Sequence, residues 1–353
     1  MIVYILVAVL IFGVLIFVHE MGHFLAARAS GVQVNEFALG MGPAIWKRTK
    51  GETIYSLRCI PIGGFCAMEG EDETTDNPRA FSAAKTWKRF VILIAGSAVN
   101  FLAGLLILIV LFSTAAGFST TKIAGFMEGS LLAEETGLQT GDEIYRIDGK
   151  RVFIYSDISM LLSRNTTGVF DLEVIRNGER VKLQQTPLRL QEFEVDGTKS
   201  MRYGLYFAAE EFTVGGLLKY AWLSAVDFGR LVWMGLADLL TGLVGVDDMS
   251  GPVGIVSVIA QTGEASETAR DAAVNIAYFA AFLAINLAVM NMLPIPALDG
   301  GRAFLLLITW IVEKLIGRKI DPKYEGYIHA AGMILLLGFI AFITLKDILK
   351  LIR

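Results

Sequence analysis

The sequence predicts an α-helical multi-span membrane protein with four transmembrane helices, a membrane-associated β-hairpin and an inserted, β-rich α+β domain. Three observations carry that expectation. Hydrophobic residues make up 54% of the 353 positions and charged ones 19%, a balance outside that of soluble domains. Four stretches, roughly 2–24, 91–112, 272–298 and 328–345, are long and apolar enough to cross a hydrocarbon layer of about 30 Å. Between the second and third lies a stretch of soluble composition, about 118–210, with frequent turn signals.

The first span is uncharged over 2–18 and then carries His19, Glu20 and His23 in H-E-x-x-H spacing. Positions i and i+4 share a helix face, so both imidazoles can grip one metal ion, with Glu20 placed to take a proton from a bound water. Two of the chain's three histidines are here; His329 is far away in sequence. An ionisable cluster at membrane depth is costly and marks a functional site. The N-terminus lacks the basic start and cleavage site of a signal peptide, so 1–24 is read as a retained span.

After this span, GMGP at 40–43 and PIGG at 61–64 bracket a strand, TIYSLRCI, at 53–60. The region 36–69 is read as a small β element, either dipping toward the H-E-x-x-H stretch or standing in water; pattern alone favours the second. KTWKR at 85–89 anchors the second span. Arg28, Lys47, Arg48, Lys50, Arg58, Lys85, Lys88 and Arg89 lie between spans one and two. Arg302, Lys314, Arg318, Lys319 and Lys323 follow span three. The positive-inside bias makes both loops cytoplasmic and puts the N-terminus, the insert and the C-terminus outside, although the basic terminal KDILKLIR argues against the last of these.

The insert reads as a short helix ending at Gly137, a turn at Gly141 and Asp142, a strand EIYRI, a turn at Asp148 and Gly149, and a hairpin about Asn177 and Gly178. In 214–246 the charges Lys219, Asp227, Arg230 and Asp238 fall at about 0°, 80°, 20° and 100° on a helical wheel. That predicts an amphipathic helix lying along the membrane surface or against other spans, with a fifth span whose charges face a partner as the competing reading. SGPVGIV, 250–256, is read as a turn and a short apolar piece. A net charge of −4 offers no basic surface for nucleic acid. Cys59 and Cys66 form neither a disulfide framework nor C-x-x-C.

A catalytic zinc site needs three protein ligands and a water, so two histidines are incomplete. The candidate third group is Asp299, in NMLPIPALDGG at 291–301. Pro294 and Pro296 break the helix there, which membranes tolerate where backbone lines a cavity. Spans one and three run in the same direction, placing Asp299 and His19 at matching depth. The alternative is that Asp299 merely caps the helix after it.

The insert's A-E-x-T-G-L-x-x-G-D-x-I-x-x-I-D-G run resembles a PDZ domain. With H-E-x-x-H in the first span and NxxPxPxxDG in the third, nearly the whole chain resembles the site-2 protease family of intramembrane zinc metalloproteases, more narrowly its bacterial regulator-of-sigma-E protease group. Several members of that group carry two PDZ domains; one is found here.

The resemblance implies one Zn²⁺ held by His19, His23 and Asp299, with Glu20 as general base. Substrate contacts are expected from Asn286 and Asn291, from Pro294 and Pro296, and from a strand edge near Gly40 and Gly42. A peptide groove is expected at Tyr203, Gly204 and Leu205 in a strand at 202–207. The implied substrates are transmembrane proteins first cut outside by a site-1-type protease, such as anti-sigma factors, or signal-peptide remnants. The implied location is the bacterial cytoplasmic membrane, with the insert outside and the active site toward the cytoplasm. The domains are then a membrane core (1–117 and 261–353), a PDZ domain (118–210) and an interfacial helix with the GPVG segment (211–260). Two other readings remain: a CAAX-type membrane zinc protease, and a non-catalytic PDZ adaptor with structural zinc, against which Glu20 argues.

Overall fold

The computed structural model describes residues 2–71, 75–130, 132–195, 198–245, 249, 251–317 and 323–352. The chain forms two compact units, Met1–Leu108 with Phe228–Arg353, and Ile109–Asp227.

The first unit begins with α1 (Ile2–Ser30), which continues past the predicted end at residue 24. Strands β1 (Val34–Lys50) and β2 (Thr53–Met68) follow and pair antiparallel. The pairing is bulged: Phe37 faces both Tyr55 and Cys66, so the strands double back on themselves. The strand read at 53–60 therefore runs on to Met68, through the PIGG stretch taken as punctuation. The β element is also not free in water. Phe37 packs edge-on to Phe24 and Phe17 of α1, at centroid distances of 5.3 and 5.8 Å. One core joins Phe24, Val34, Phe37, Cys66, Met68 and Ile92. Helix α2 (Thr86–Phe112) starts within the KTWKR stretch.

The second unit is built on β3 (Gly117–Phe126), α3 (Leu132–Thr136), β4 (Glu143–Ile147), β5 (Lys150–Arg151), α4 (Tyr155–Ser163), β6 (Val169–Arg176), β7 (Glu179–Pro187), β8 (Gln191–Val195), β9 (Thr198–Arg202) and β10 (Leu205–Glu211). Its main sheet has the order β10-β3-β4-β6-β7, with β5 on β4; β8 and β9 pair separately. Ile144 and Ile147 of β4, and the alternating Phe170, Leu172 and Val174 of β6, are buried in the core. Asp142, at the predicted turn, is buried beneath a two-pronged ion pair, with Arg176 Nε and Nη2 each 2.8 Å from its oxygens. The strand expected at 202–207 begins later: Arg202 ends β9, Tyr203 and Gly204 connect, and Leu205 opens β10 opposite Phe126.

Helix α5 (Val214–Thr241) forms where a helix was predicted; within its charged arc the two carboxylates turn inward, while Lys219 is exposed. Asp227 and Asp238 are 3% and 7% exposed, while Trp233 and Leu240 are 57% and 87% exposed. Wheel arithmetic tells which charges share a face, not whether that face looks outward. Carboxylates facing protein and indoles facing outward fit the expectation of a helix against other elements rather than one along the membrane surface.

The membrane unit resumes with α6 (Pro252–Ala265), a helix where a turn and a short piece were expected; Pro252 suits the first helical turn, which needs no N–H. Then come α7 (Ala269–Asn291), α8 (Asp299–Ile316) and α9 (Lys323–Ile352). The third span thus stops at Asn291 rather than 298, because Pro294 and Pro296 cannot extend a helix. They sit in the turn after it, not inside it. Helix α8 replaces the loop expected there; Arg318, Lys319 and Ser250, used in the sequence reading, lie outside the described residues. Among the described residues α1, α2, α7 and Gly326–Lys350 of α9 are long and apolar enough to cross a membrane. A second core packs Ala8 and Leu15 of α1 against Ile259 of α6 and Ile276, Leu283 and Ala284 of α7.

Candidate metal centre

His19 and His23 leave one face of α1 with their rings edge to face, centroids 4.8 Å apart. Their Nε2 atoms are 3.3 Å apart, and Asp299 Oδ2, at the start of α8, lies 3.2 Å from each. A tetrahedral ion with ligand bonds of about 2.0–2.1 Å requires donors about 3.3–3.4 Å apart. The triangle meets that requirement, and two imidazoles with a carboxylate are a zinc-type donor set. His23 Nδ1 lies 2.8 Å from the Ile92 carbonyl oxygen of α2, which fixes the N–H on Nδ1 and turns the Nε2 lone pair to the centre.

Helix packing brings these groups together. Gly96 of α2 lies against both rings; a methyl there would sit 2.7 Å from His19 Cε1. The turn carrying Asp299 is held by close backbone contacts. Side chains at Gly300 and Gly301 would strike the 292–296 backbone, and one at Gly332 of α9 would lie 2.6 Å from the Pro296 carbonyl oxygen. Ala297 has φ +86°, a conformation an L-residue adopts only under constraint, and its N–H donates to His329 Nδ1 at 3.3 Å. The sequence reading assigned no role to His329, Gly332 or Gly96. The one available signal was a lone histidine near the start of an apolar run.

Glu20 lines a cavity of about 760 Å³ together with His19, His23, Asp299, residues 64–71, Arg302 and Met333. A Cβ at Gly64 would come within 3.1 Å of Glu20 Cγ, so β2 runs directly over the carboxylate. Arg302 pairs with Glu71 on the same wall.

The remaining predicted residues divide. Asn291 reaches the centre, with Nδ2 3.4 Å from His19 Nε2. Asn286, partly buried on α7, makes no hydrogen bond to His19, His23 or Asp299. Gly40 and Gly42 are not on the cavity wall. Their φ values of +86° and +81° bend β1 back on itself, and it is the 64–68 part of β2 that faces the cavity. Pro294 is exposed in the turn, and Pro296 packs on Gly332. In the second unit, Gly204 accepts the Met127 N–H at 2.9 Å, and Leu205 is buried. Tyr203 is partly buried, and β10 has β3 as its one partner among the described residues.

Residues 7–339 match Peptidase family M50. A protein of Clostridium perfringens (strain 13 / Type A), named for a zinc metalloprotease, is 34% identical over 98% of this chain and 98% of its own length. A similarly named protein of Clostridium acetobutylicum is 35% identical over 98% of this chain and 97% of its own. The regulator of sigma-W protease RasP of Bacillus subtilis (strain 168) is 28% identical over 97% of each chain.

Proposed function

Because the chain belongs to peptidase family M50 and is an intramembrane zinc metalloprotease, we propose that His19, His23 and Asp299 hold its zinc ion and that Glu20 is the general base. The observation that carries this is the donor triangle, whose 3.2–3.3 Å edges fit a tetrahedral ion with no rearrangement. Bound zinc supplies Lewis acidity, polarising the scissile carbonyl and acidifying water. Glu20 takes the proton of the attacking water and passes it to the departing amine nitrogen. The Asn291 amide, beside His19, donates to the carbonyl oxygen as negative charge develops on it.

The substrates are membrane proteins. A helix in lipid has every backbone group bonded internally, so it unwinds before attack. The 64–68 stretch of β2, facing the cavity, gives the unwound segment a strand edge to join. Likeness to a regulator of sigma-W protease supports single-span anti-sigma factors as the class cut, after a first protease has trimmed their outer part; signal-peptide remnants have the same chemistry. The unit Ile109–Asp227 acts as a PDZ domain outside the bacterial cytoplasmic membrane, gating or docking substrates at Tyr203, Gly204 and Leu205. The Arg and Lys residues between α1 and α2 support a metal centre toward the cytoplasm. Neither rival reading accounts for the pocket: an adaptor has no use for Glu20 in the cavity, and a CAAX-type enzyme takes a glutamate ligand.

The test is cleavage of transmembrane peptides in proteoliposomes, with zinc content measured in parallel. Glu20→Gln keeps zinc and loses about 10²–10⁴-fold in rate. His23→Ala and Asp299→Ala lose both. A Glu20→Gln protein that cuts at the unaltered rate ends this reading.

A further inference from the structure

We propose that Asn100 of α2, acting through an ordered water, is a positioning residue for His19. This rests on the reading that His19, His23 and Asp299 hold zinc. A metal-binding imidazole commonly donates its second N–H to a partner that fixes its tautomer and orientation. His23 has one in the Ile92 carbonyl. His19 Nδ1 is buried and has no protein partner among the described residues.

On the facing helix, Ser97 Oγ and both amide atoms of Asn100 are in the same condition: buried, with no hydrogen bond to the described residues. Asn100 is 0% exposed. In a lipid-embedded helix such groups are costly unless satisfied, and leucine would fill the same space without the penalty.

The orphaned atoms lie on facing helices. α1 and α2 pack antiparallel, with His23 on Ile92 and with Gly22 and His19 on Ala95 and Gly96. Helical side chains lean toward the helix N-terminus, so the His19 ring covers the turn before its own Cα. Asn100 lies one turn beyond Gly96, and its side chain leans back along α2 toward that level. Gly96 and Asn100 are four residues apart on one face, and Gly96 lies against His19 Cε1, the ring carbon between the two nitrogens. Buried polar atoms without partners on adjoining turns of two packed helices are groups that a water with two to four partners satisfies. The water accepts the His19 Nδ1 proton and donates to Asn100 Oδ1, with Ser97 Oγ as a further partner. His19 then presents the same Nε2 lone pair as His23.

The full chain is purified in detergent. Zinc affinity is measured against a chelator, and the visible absorption of the Co²⁺-substituted protein is recorded. Asn100→Leu is expected to weaken zinc binding by about 10–100-fold and to shift the Co²⁺ bands. Thermal stability of the zinc-free protein should be unchanged or higher. Asn100→Ser, which keeps a polar group and leaves room for water, should stay within roughly threefold of the unaltered affinity. Unaltered affinity and spectrum in Asn100→Leu overturn the proposal. So does an experimental structure of the zinc-loaded chain with no water bridging His19 Nδ1 and Asn100, an observation that needs no variant to fold. His23→Ala separates the two claims: if it keeps zinc, the ligand assignment fails; if it loses zinc while Asn100→Leu does not, the role of Asn100 alone fails.

Discussion

Gly96 of α2 and His19 of α1 leave no space between them: a single methyl on the glycine would lie 2.7 Å from the imidazole Cε1. The contact is between a helix backbone and a ring, and neither yields easily. Gly96→Ala is therefore expected to push the rings out of their triangle. Zinc content of the purified protein should fall at least about tenfold, with helix content by circular dichroism retained. Normal zinc content in Gly96→Ala would mean that the helices separate without cost.

Ala297 holds φ +86° just before the Asp299 turn. Glycine adopts that conformation freely, so Ala297→Gly should raise stability by about 1 kcal/mol, whereas Ala297→Val, β-branched, should lower it by more than that. Thermal unfolding in detergent measures both, and an order reversed between the two variants contradicts the strain.

Asp347 of α9 spans to α6: its Oδ2 accepts the N–H groups of Gly251 at 2.8 Å and Gly254 at 2.9 Å. A carboxylate there satisfies orphan donors of the helix start and complements its dipole. Asp347→Ala should cost about 0.5–2 kcal/mol and speed hydrogen exchange at 251–255. Exchange unchanged at those amides would show the cap to be idle.

Glu36 in β1 gives a pH dependence. Burial opposes its charge, but hydrogen bonds from Ser56 and Arg58, both 2.6 Å, outweigh burial and hold the carboxyl below the usual range. A pKa depressed by folding adds stability that is present above the unfolded value of about 4.3 and is lost as pH falls through the folded one. Hydrogen-exchange protection of the β1–β2 pair should thus drop in acid below about pH 4, and Glu36→Gln should flatten that drop while lowering protection at pH 7.

The parts of the molecule legible beforehand were those governed by local chemistry. Apolar runs marked the four spans, since lipid demands length and hydrophobicity over a continuous stretch. H-E-x-x-H placed two imidazoles on one face because helical spacing alone does so. What escaped depended on which surfaces meet. Helix α6 and helix α8 were hidden because neither is long and apolar enough to read as a span. The inward turn of Asp227 and Asp238 depends on which neighbour α5 packs against, which no wheel reveals. Gly40 and Gly42 read as an edge, yet their positive φ values turn the chain away and leave the cavity to β2. Gly96 looked like any other residue of an apolar helix until α1 was laid beside it.

His23 and Asp299 touch although 276 positions separate them in the chain. A ribosome therefore releases the histidines long before the carboxylate exists, and the nascent polypeptide passes through the insertion machinery without a complete set of donors. A hydrolase born among unfolded membrane segments would otherwise meet its neighbours, and itself, while still half made. Splitting the centre between the opening and closing portions of the chain delays its assembly until α7 and α8 have arrived.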